Sequence, residues 1–440
     1  MYLFFGLVLL TAFKSSQLPS IFDNESYYVQ TIKWLTEYGF VKGVANVHPF
    51  LGQFSFWHVL QSGFSFSFLP INFNDINGFL LLIGIYYFFE KEQFTTKNWS
   101  FFSVIFLVFY FQFLDAPSPD LPILVFSAIV FNEFIEHSKE EKSILLFIIY
   151  MIFLKLTFAP ILILALVYLT RNKKLIPFFS ITSILFGSIW IVKNILITGY
   201  PFFPLPLFEA DFDWKMGKSV LTKLAQVTID AGYSENLLET KNLTLIKKLK
   251  LWFHLNGINA FFNKGMLILF LIIPLTQFFK RNQNFKILYF ILLIHFTFLL
   301  VTSPQYRFFL PSFILFSTIL IYEISTYIFF EMKKFILVFS LLLVGISLFL
   351  NLKKTTAKIT SNLSQVIIPE SITKYNSFEF EQKKMGSFIF YEAKFSNLYE
   401  TANGNLPCVN SEIFEYYNYF PQQRTTDLKD GFKSKEVKHE

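Results

Sequence analysis

The stretch Phe22–His58, FDNESYYVQTIKWLTEYGFVKGVANVHPFLGQFSFWH, decides how the rest of the chain is read. It opens on acids, carries two lysines, two histidines, two tryptophans and three tyrosines, and stands in a chain that is otherwise apolar. The protein has 440 residues, 53% of them hydrophobic and only 16% charged, with a mean hydropathy of +0.47. A soluble domain carries ~25% charged residues. The apolar residues come in blocks rather than at period 2 or 3.6, which is the pattern of repeated membrane spans. The opening stretch is therefore a polar, aromatic-rich insert in an all-α polytopic membrane protein.

Outward from the insert, apolar runs fall near 76–89, 98–114, 121–135, 143–154, 158–170, 175–196, 264–279, 285–302, 308–330 and 335–350. With the start of the chain they predict about 11 transmembrane or membrane-embedded helices. The pair at 143–170 reads as a shallow hairpin around Lys155, Thr157 and Pro160, and 50–69 as an interfacial helix. Met1–Phe13 is apolar but short for a span. Either it is a first span extended through Leu18, or further spans precede it. It lacks the marks of a cleaved signal peptide.

Charge sets the expected topology. One set of loops holds Lys91 and Lys97; Lys139 and Lys142; Arg171, Lys173 and Lys174; Lys280, Arg281 and Lys286; Lys333 and Lys334. These basic loops belong on the cytoplasmic side of a cell (inner) membrane. The segments 14–75, 115–120, 197–263 and 351–440 then face outward. Lys14 sits on that outer side against the rule. Residues 1–350 form the expected transmembrane domain and 351–440 a small extracytoplasmic segment, strand-like at 378–381 and 387–390 and disordered from Thr425. The net charge of +7 reflects these loops and gives no ground for nucleic acid as a partner. One cysteine, Cys408, excludes an intramolecular disulfide.

Chemistry is sought on the outer face. Residues 24–38 read as a surface helix with Tyr28, Ile32, Leu35 and Tyr38 on one side and Gly39 as its stop. Asp23 or Asn24 suits its N-cap, with Glu25 in the first turn. A cap residue is held rigidly, so Asp23 is also placed to act as a general base or metal ligand. A second acidic loop, Asp115-Ala-Pro-Ser-Pro-Asp120, lies on the same face. It is either a polar turn or, with the insert, an oxygen-rich site for a divalent ion. Arg307 at a span boundary, Lys155 in the hairpin and Lys193 near the end of a span are cations at costly depth. Arginine in particular can clamp a phosphate. His48, in the polar run Lys42–Pro49, and Trp34 could line an acceptor. The chain carries no HExxH, CxxC, GxGxxG, P-loop or GxSxG motif.

This layout resembles the GT-C superfamily of integral-membrane glycosyltransferases. The resemblance rests on Asp23-Asn24-Glu25-Ser26-Tyr27, the interfacial helix after it and the acidic loop at 115–120. More narrowly the chain resembles a bacterial group of polytopic membrane proteins of unassigned function. The matching pieces are Gly43–His48, Lys193–Pro204 and Leu406-Pro407-Cys408, and together they cover most of the chain. The resemblance implies sugar transfer from a polyprenyl-phosphate donor to a glycan or lipid acceptor in the cell envelope. Asp23, supported by Glu25, would deprotonate the acceptor hydroxyl. Arg307, Lys155 and Lys193 would bind the donor phosphate, and Lys42, His48 and Trp34 would face the acceptor. Some members use a divalent ion, Mg or Mn, for which Asp115 and Asp120 are the candidates. Lys193 stands where the group leads one to expect Arg. The competing readings are a surface-polysaccharide polymerase or ligase, disfavoured by the scarcity of outer arginine, and a non-catalytic transport or assembly protein.

Overall fold

The computed structural model describes residues 2–15, 17, 19, 21–64, 76–92, 98–137, 139–234, 240–326, 332–358, 379–394 and 397–436. These are mostly helical. The helices are α1 (Tyr2–Ser15), α2 (Val29–Glu37), α3 (Phe56–Gly63), α4 (Ile76–Glu92), α5 (Leu107–Phe111), α6 (Asp120–Ile135), α7 (Glu141–Leu154), α8 (Leu162–Arg171) and α9 (Ile176–Thr198). They continue as α10 (Lys218–Tyr233), α11 (Leu245–Phe253), α12 (Gly257–Ile272), α13 (Gln277–Arg281), α14 (Gln283–Val301), α15 (Tyr306–Ser325), α16 (Met332–Lys358) and α17 (Glu412–Tyr417).

Among the described residues four helical stretches are long and apolar enough to cross a membrane: Lys173–Thr198, Gly257–Leu275, Gln283–Val301 and Tyr306–Ser325. They mark a membrane protein. Their burial sorts them. Only 6% of the first is packed inside the protein, so α9 presents Ile181, Ile184, Leu185 and Val192 to lipid, whereas 61% of the last is enclosed and α15 forms the centre. Against α15 pack α6, α12, α14 and an eight-residue 3-10 segment, Trp99–Phe106. The hairpin expected at 143–170 is present: α7 stops at Leu154, Lys155 is extended (φ −151°, ψ 108°), and a 3-10 turn leads into α8, which packs back on α7. At 50–69 the expected interfacial helix is shorter and broken, a 3-10 turn at Pro49–Gln53 followed by α3. The rest of that run, and the first part of the strand-like piece at 378–381, lie outside the described residues.

A second hydrophobic core sits apart from the bundle. It joins Trp34, Val44, Val47, Leu51 and Phe54 of the opening stretch to Tyr200 and Phe203, to Val220, Leu221 and Leu224 of α10, and to Phe390, Phe414, Tyr417 and Phe432 of the C-terminal segment. Parts of the three long polar segments thus share one core and form a head. The C-terminal part adds two antiparallel hairpins, β1 (Phe380–Met385) with β2 (Phe388–Ala393) and β3 (Tyr419–Gln423) with β4 (Phe432–Glu436).

The second hairpin corrects one expectation. The charged tail is not disordered from Thr425 but folded through Glu436. A single aromatic anchors it: the Phe432 side chain is fully buried, its N–H donates to Lys42 O at 2.9 Å, and Arg424 Nε reaches Asp213 Oδ2 at 2.8 Å. Gly43 makes the seam possible. Its φ of +62° and the 2.2 Å that would separate an added Cβ from Phe432 O leave room only for glycine.

Candidate functional site

Asp23 opens a five-residue π-helical turn, Asn24–Tyr28, that runs into α2. A π-turn widens the helix and releases carbonyls from the usual ladder. Here the released groups find partners across the head. Glu25 O accepts the N–H groups of Thr401 (2.9 Å) and Ala402 (2.8 Å), and Thr401 Oγ1 donates to Ser26 O at 2.9 Å. Gln30 Nε2 and Lys33 Nζ donate to Gly404 O, each at 3.0 Å. The C-terminal segment therefore grips the turn that carries Asp23. The Asp23 side chain does not cap the helix, contrary to the expectation. It accepts instead from Arg307 Nη1 at 2.6 Å and from Tyr28 Oη at 3.3 Å.

Arg307 lies in the first turn of α15. A cation there opposes the helix macrodipole, so local helix chemistry does not account for it. What holds it is acidic. Besides Asp23, Asp120 Oδ2 is 3.6 Å from Nη1, and Nε donates to Gln305 Oε1 at 2.9 Å. Asp120 starts α6, where an acid is favoured. Ser118 Oγ accepts its N–H at 3.2 Å, and its carboxylate also takes the ammonium of Lys155. Lys155 reaches over the Phe308 ring, 4.4 Å from the centroid.

The result is an alternating line, Asp23–Arg307–Asp120–Lys155, at the junction of head and bundle. Side-chain exposure grades it: Asp120 is 2% exposed, Asp23 and Lys155 17%, and Arg307 24%. Asp120 is the buried anchor and the other three reach the open. Tyr27, Tyr28, Phe50 and His58 wall the Asp23 side, with Tyr28 and His58 rings 4.7 Å apart. Burial, reinforced by neighbouring charge including Asp23, pushes both tyrosine phenols up. Tyr28 therefore stays a neutral hydrogen-bond donor.

The remaining candidates lie elsewhere. Asp115 does not join Asp120. It pairs with Lys14 at 2.5 Å, both side chains fully enclosed. The two acids thus share no cage. Among the described residues no three His, Cys, Asp or Glu side chains gather, and Asp23 and Asp120 both face Arg307. This is an ion-pair ladder rather than the oxygen cage a divalent ion takes. Lys193 is buried on α9, donating to Phe54 O at 3.1 Å between the Phe54 and Phe56 rings, outside the ladder. Glu25 contributes its backbone to the C-terminal grip, while its carboxylate accepts from Asn24 Nδ2 at 3.4 Å.

The residues expected on an acceptor side are head residues. Trp34 packs on Tyr38 and Phe432 in the second core. Lys42 stacks on Trp214, 5.3 Å from the ring centroid. His48 is buried, its Nδ1 accepting Phe50 N–H at 3.2 Å. Burial lowers the His48 pKa from 6.5 to about 3. Below pH 6.5 the unfolded histidine takes up a proton that the folded one refuses, so stability falls as pH drops from 6.5 towards 3. His48→Asn, which keeps an acceptor at that position, is expected to make this slope shallower in melting curves taken between pH 7 and pH 4, with the buried His58 supplying part of what remains.

Sequence reasoning did not find Tyr28 or Gln305 as ladder partners, nor Lys14 as the partner of Asp115. Lys14 did leave a signal, as a lysine set against the charge rule directly after an apolar helix. Gln305 left none.

Residues 1–315 match a family described as a domain of unknown function (DUF8201), and the chain belongs to that family. No curated protein and no solved structure matches it.

Proposed function

We propose that this protein is a GT-C-type glycosyltransferase of the inner membrane, with about 11 membrane-embedded helices and its head outside the cell. It would move a sugar from a polyprenyl-phosphate-linked donor to a glycan or lipid hydroxyl in the cell envelope. The observation that carries this reading is the meeting of Asp23 with Arg307, Asp120 and Lys155 where head and bundle join. A carboxylate and two cations in one half-open place are what the reaction needs. Asp23 removes the acceptor proton while the hydroxyl oxygen attacks the anomeric carbon from the face opposite the phosphate. The bond from that carbon to the phosphate oxygen breaks, and Arg307 and Lys155 stabilise the leaving phosphate. In the absence of donor Asp23 is held by Arg307, so an arriving phosphate would replace it there and free the base.

Asp23→Asn keeps the size and hydrogen-bonding reach of the side chain. It is expected to lower turnover of polyprenyl-phosphate-linked sugars in reconstituted vesicles by about 10²–10⁴-fold, with unchanged expression and insertion. Unaltered turnover would remove Asp23 from the chemistry. The direct Asp23–Arg307 pair also favours a second reading, in which the ladder is purely a structural lock. Transfer per correctly folded molecule of Asp23→Asn separates the two: it is unchanged if the pair is only a lock and falls if Asp23 is the base.

A further inference from the structure

The short helix α11, LIKKLKLWF, lies outside the ladder and has no part in the proposed reaction. Thr244 caps it, and it ends four residues before the membrane-crossing stretch that starts at Gly257. Its inner side is fixed: Trp252 is buried and its Nε1 donates to Pro304 O at 2.8 Å. Its outer side is of two kinds. Ile246 is 70% exposed, and Leu245 and Phe253 are also open. Beside them stand the exposed Lys247 and Lys250, with Lys264 of α12 stacked on Phe253 at 5.3 Å and Lys248 reaching over Tyr233 at 5.7 Å.

Helix stability accounts for Lys250, in the last turn, but not for Lys247 and Lys248. Lys247 and Lys248 sit near the N-terminal end, where the macrodipole disfavours cations. Depth explains them. A helix joined by a three-residue link to a span lies at the level where that span enters the membrane. The exposed apolar residues then continue the lipid-facing wall of α12, where Ile258, Phe261, Ile268 and Leu271 are open. Apolar residues that dip into the acyl boundary, flanked by lysines at headgroup height, are the pattern of a helix that reads anionic lipid.

We propose that α11 lies in the headgroup layer and binds anionic phospholipid headgroups through Lys247, Lys248 and Lys250, with Ile246 and Phe253 inserted beside them. The same helix is hydrogen-bonded through Trp252 to Pro304, three residues before Arg307. Lipid bound there braces the loop that presents Arg307.

The test uses the full-length protein in mild detergent, titrated with phosphatidylglycerol or phosphatidylcholine and followed by native mass spectrometry. Wild type is expected to retain phosphatidylglycerol preferentially. Lys247→Gln/Lys248→Gln/Lys250→Gln is expected to weaken that retention by about tenfold or more and to leave phosphatidylcholine unaffected. The corresponding triple arginine variant should bind as wild type does. Lys250→Gln alone, at an exposed position, should show a smaller loss in the same direction. Unchanged phosphatidylglycerol retention in the glutamine variants, or an equal loss in the arginine variant, overturns the proposal.

Discussion

Lys14→Met is expected to destabilise the protein by about 3–5 kcal/mol, because it strips the cation from a carboxylate that water does not reach. Lys14 and Asp115 form an ion pair with no exposed side-chain surface, between α1 and the loop that precedes α6. The pair itself need not be strongly stabilising, since both charges were taken out of water to make it. Breaking half of it is the costly step. Lys14→Met/Asp115→Asn, which leaves no net charge behind, should therefore recover most of the loss. Thermal unfolding of the detergent-solubilised single and double variants measures the difference. A single variant as stable as wild type would mean that the pair contributes nothing. A double variant no better than the single would locate the loss in packing rather than in charge.

The second large effect concerns the far end of the chain. Deleting residues from Asn397 onward removes Tyr399, Ile413, Phe414, Tyr417, Tyr419 and Phe432 from the head core. It also removes both N–H donors that hold Glu25 O, and the Gly404 carbonyl that holds Lys33. The membrane helices keep their own core and should still insert. The opening stretch should lose its fixed shape, and with it the position of Asp23. Limited trypsin digestion reads this directly: cleavage after Lys33 and Lys42, slow in the full protein, should become fast. A truncated protein with unchanged cleavage at those two sites would show that the opening stretch holds itself.

Much of the architecture was legible in the sequence because membrane spans announce themselves through composition. Four long helices and the hairpin broken at Lys155 follow from apolar blocks and one ill-placed lysine. The meeting of the insert, the 115–120 loop and the Arg307 boundary was legible for a related reason. Charges placed deep in an apolar chain must find each other. Which acid meets which cation was not legible. Asp115 and Asp120 look alike in sequence, yet one turns inward to Lys14 and the other to Lys155 and Arg307. The head was the least readable part. Trp34 and His48 look like surface chemistry in a polar run, and become core only because residues hundreds of positions later cover them. The tail failed for the same reason, since one phenylalanine in a charged segment gives no periodic signal.

Asp23 and Arg307 are 284 positions apart, and Thr401 clasps the Asp23 turn from 375 positions beyond Ser26. The first pairing cannot form until α15 has been synthesised, and the clasp cannot close until Thr401 and Ala402 have been made. Contacts of such separation form late. A product that stops before α15 therefore has Asp23 without its Arg307 partner.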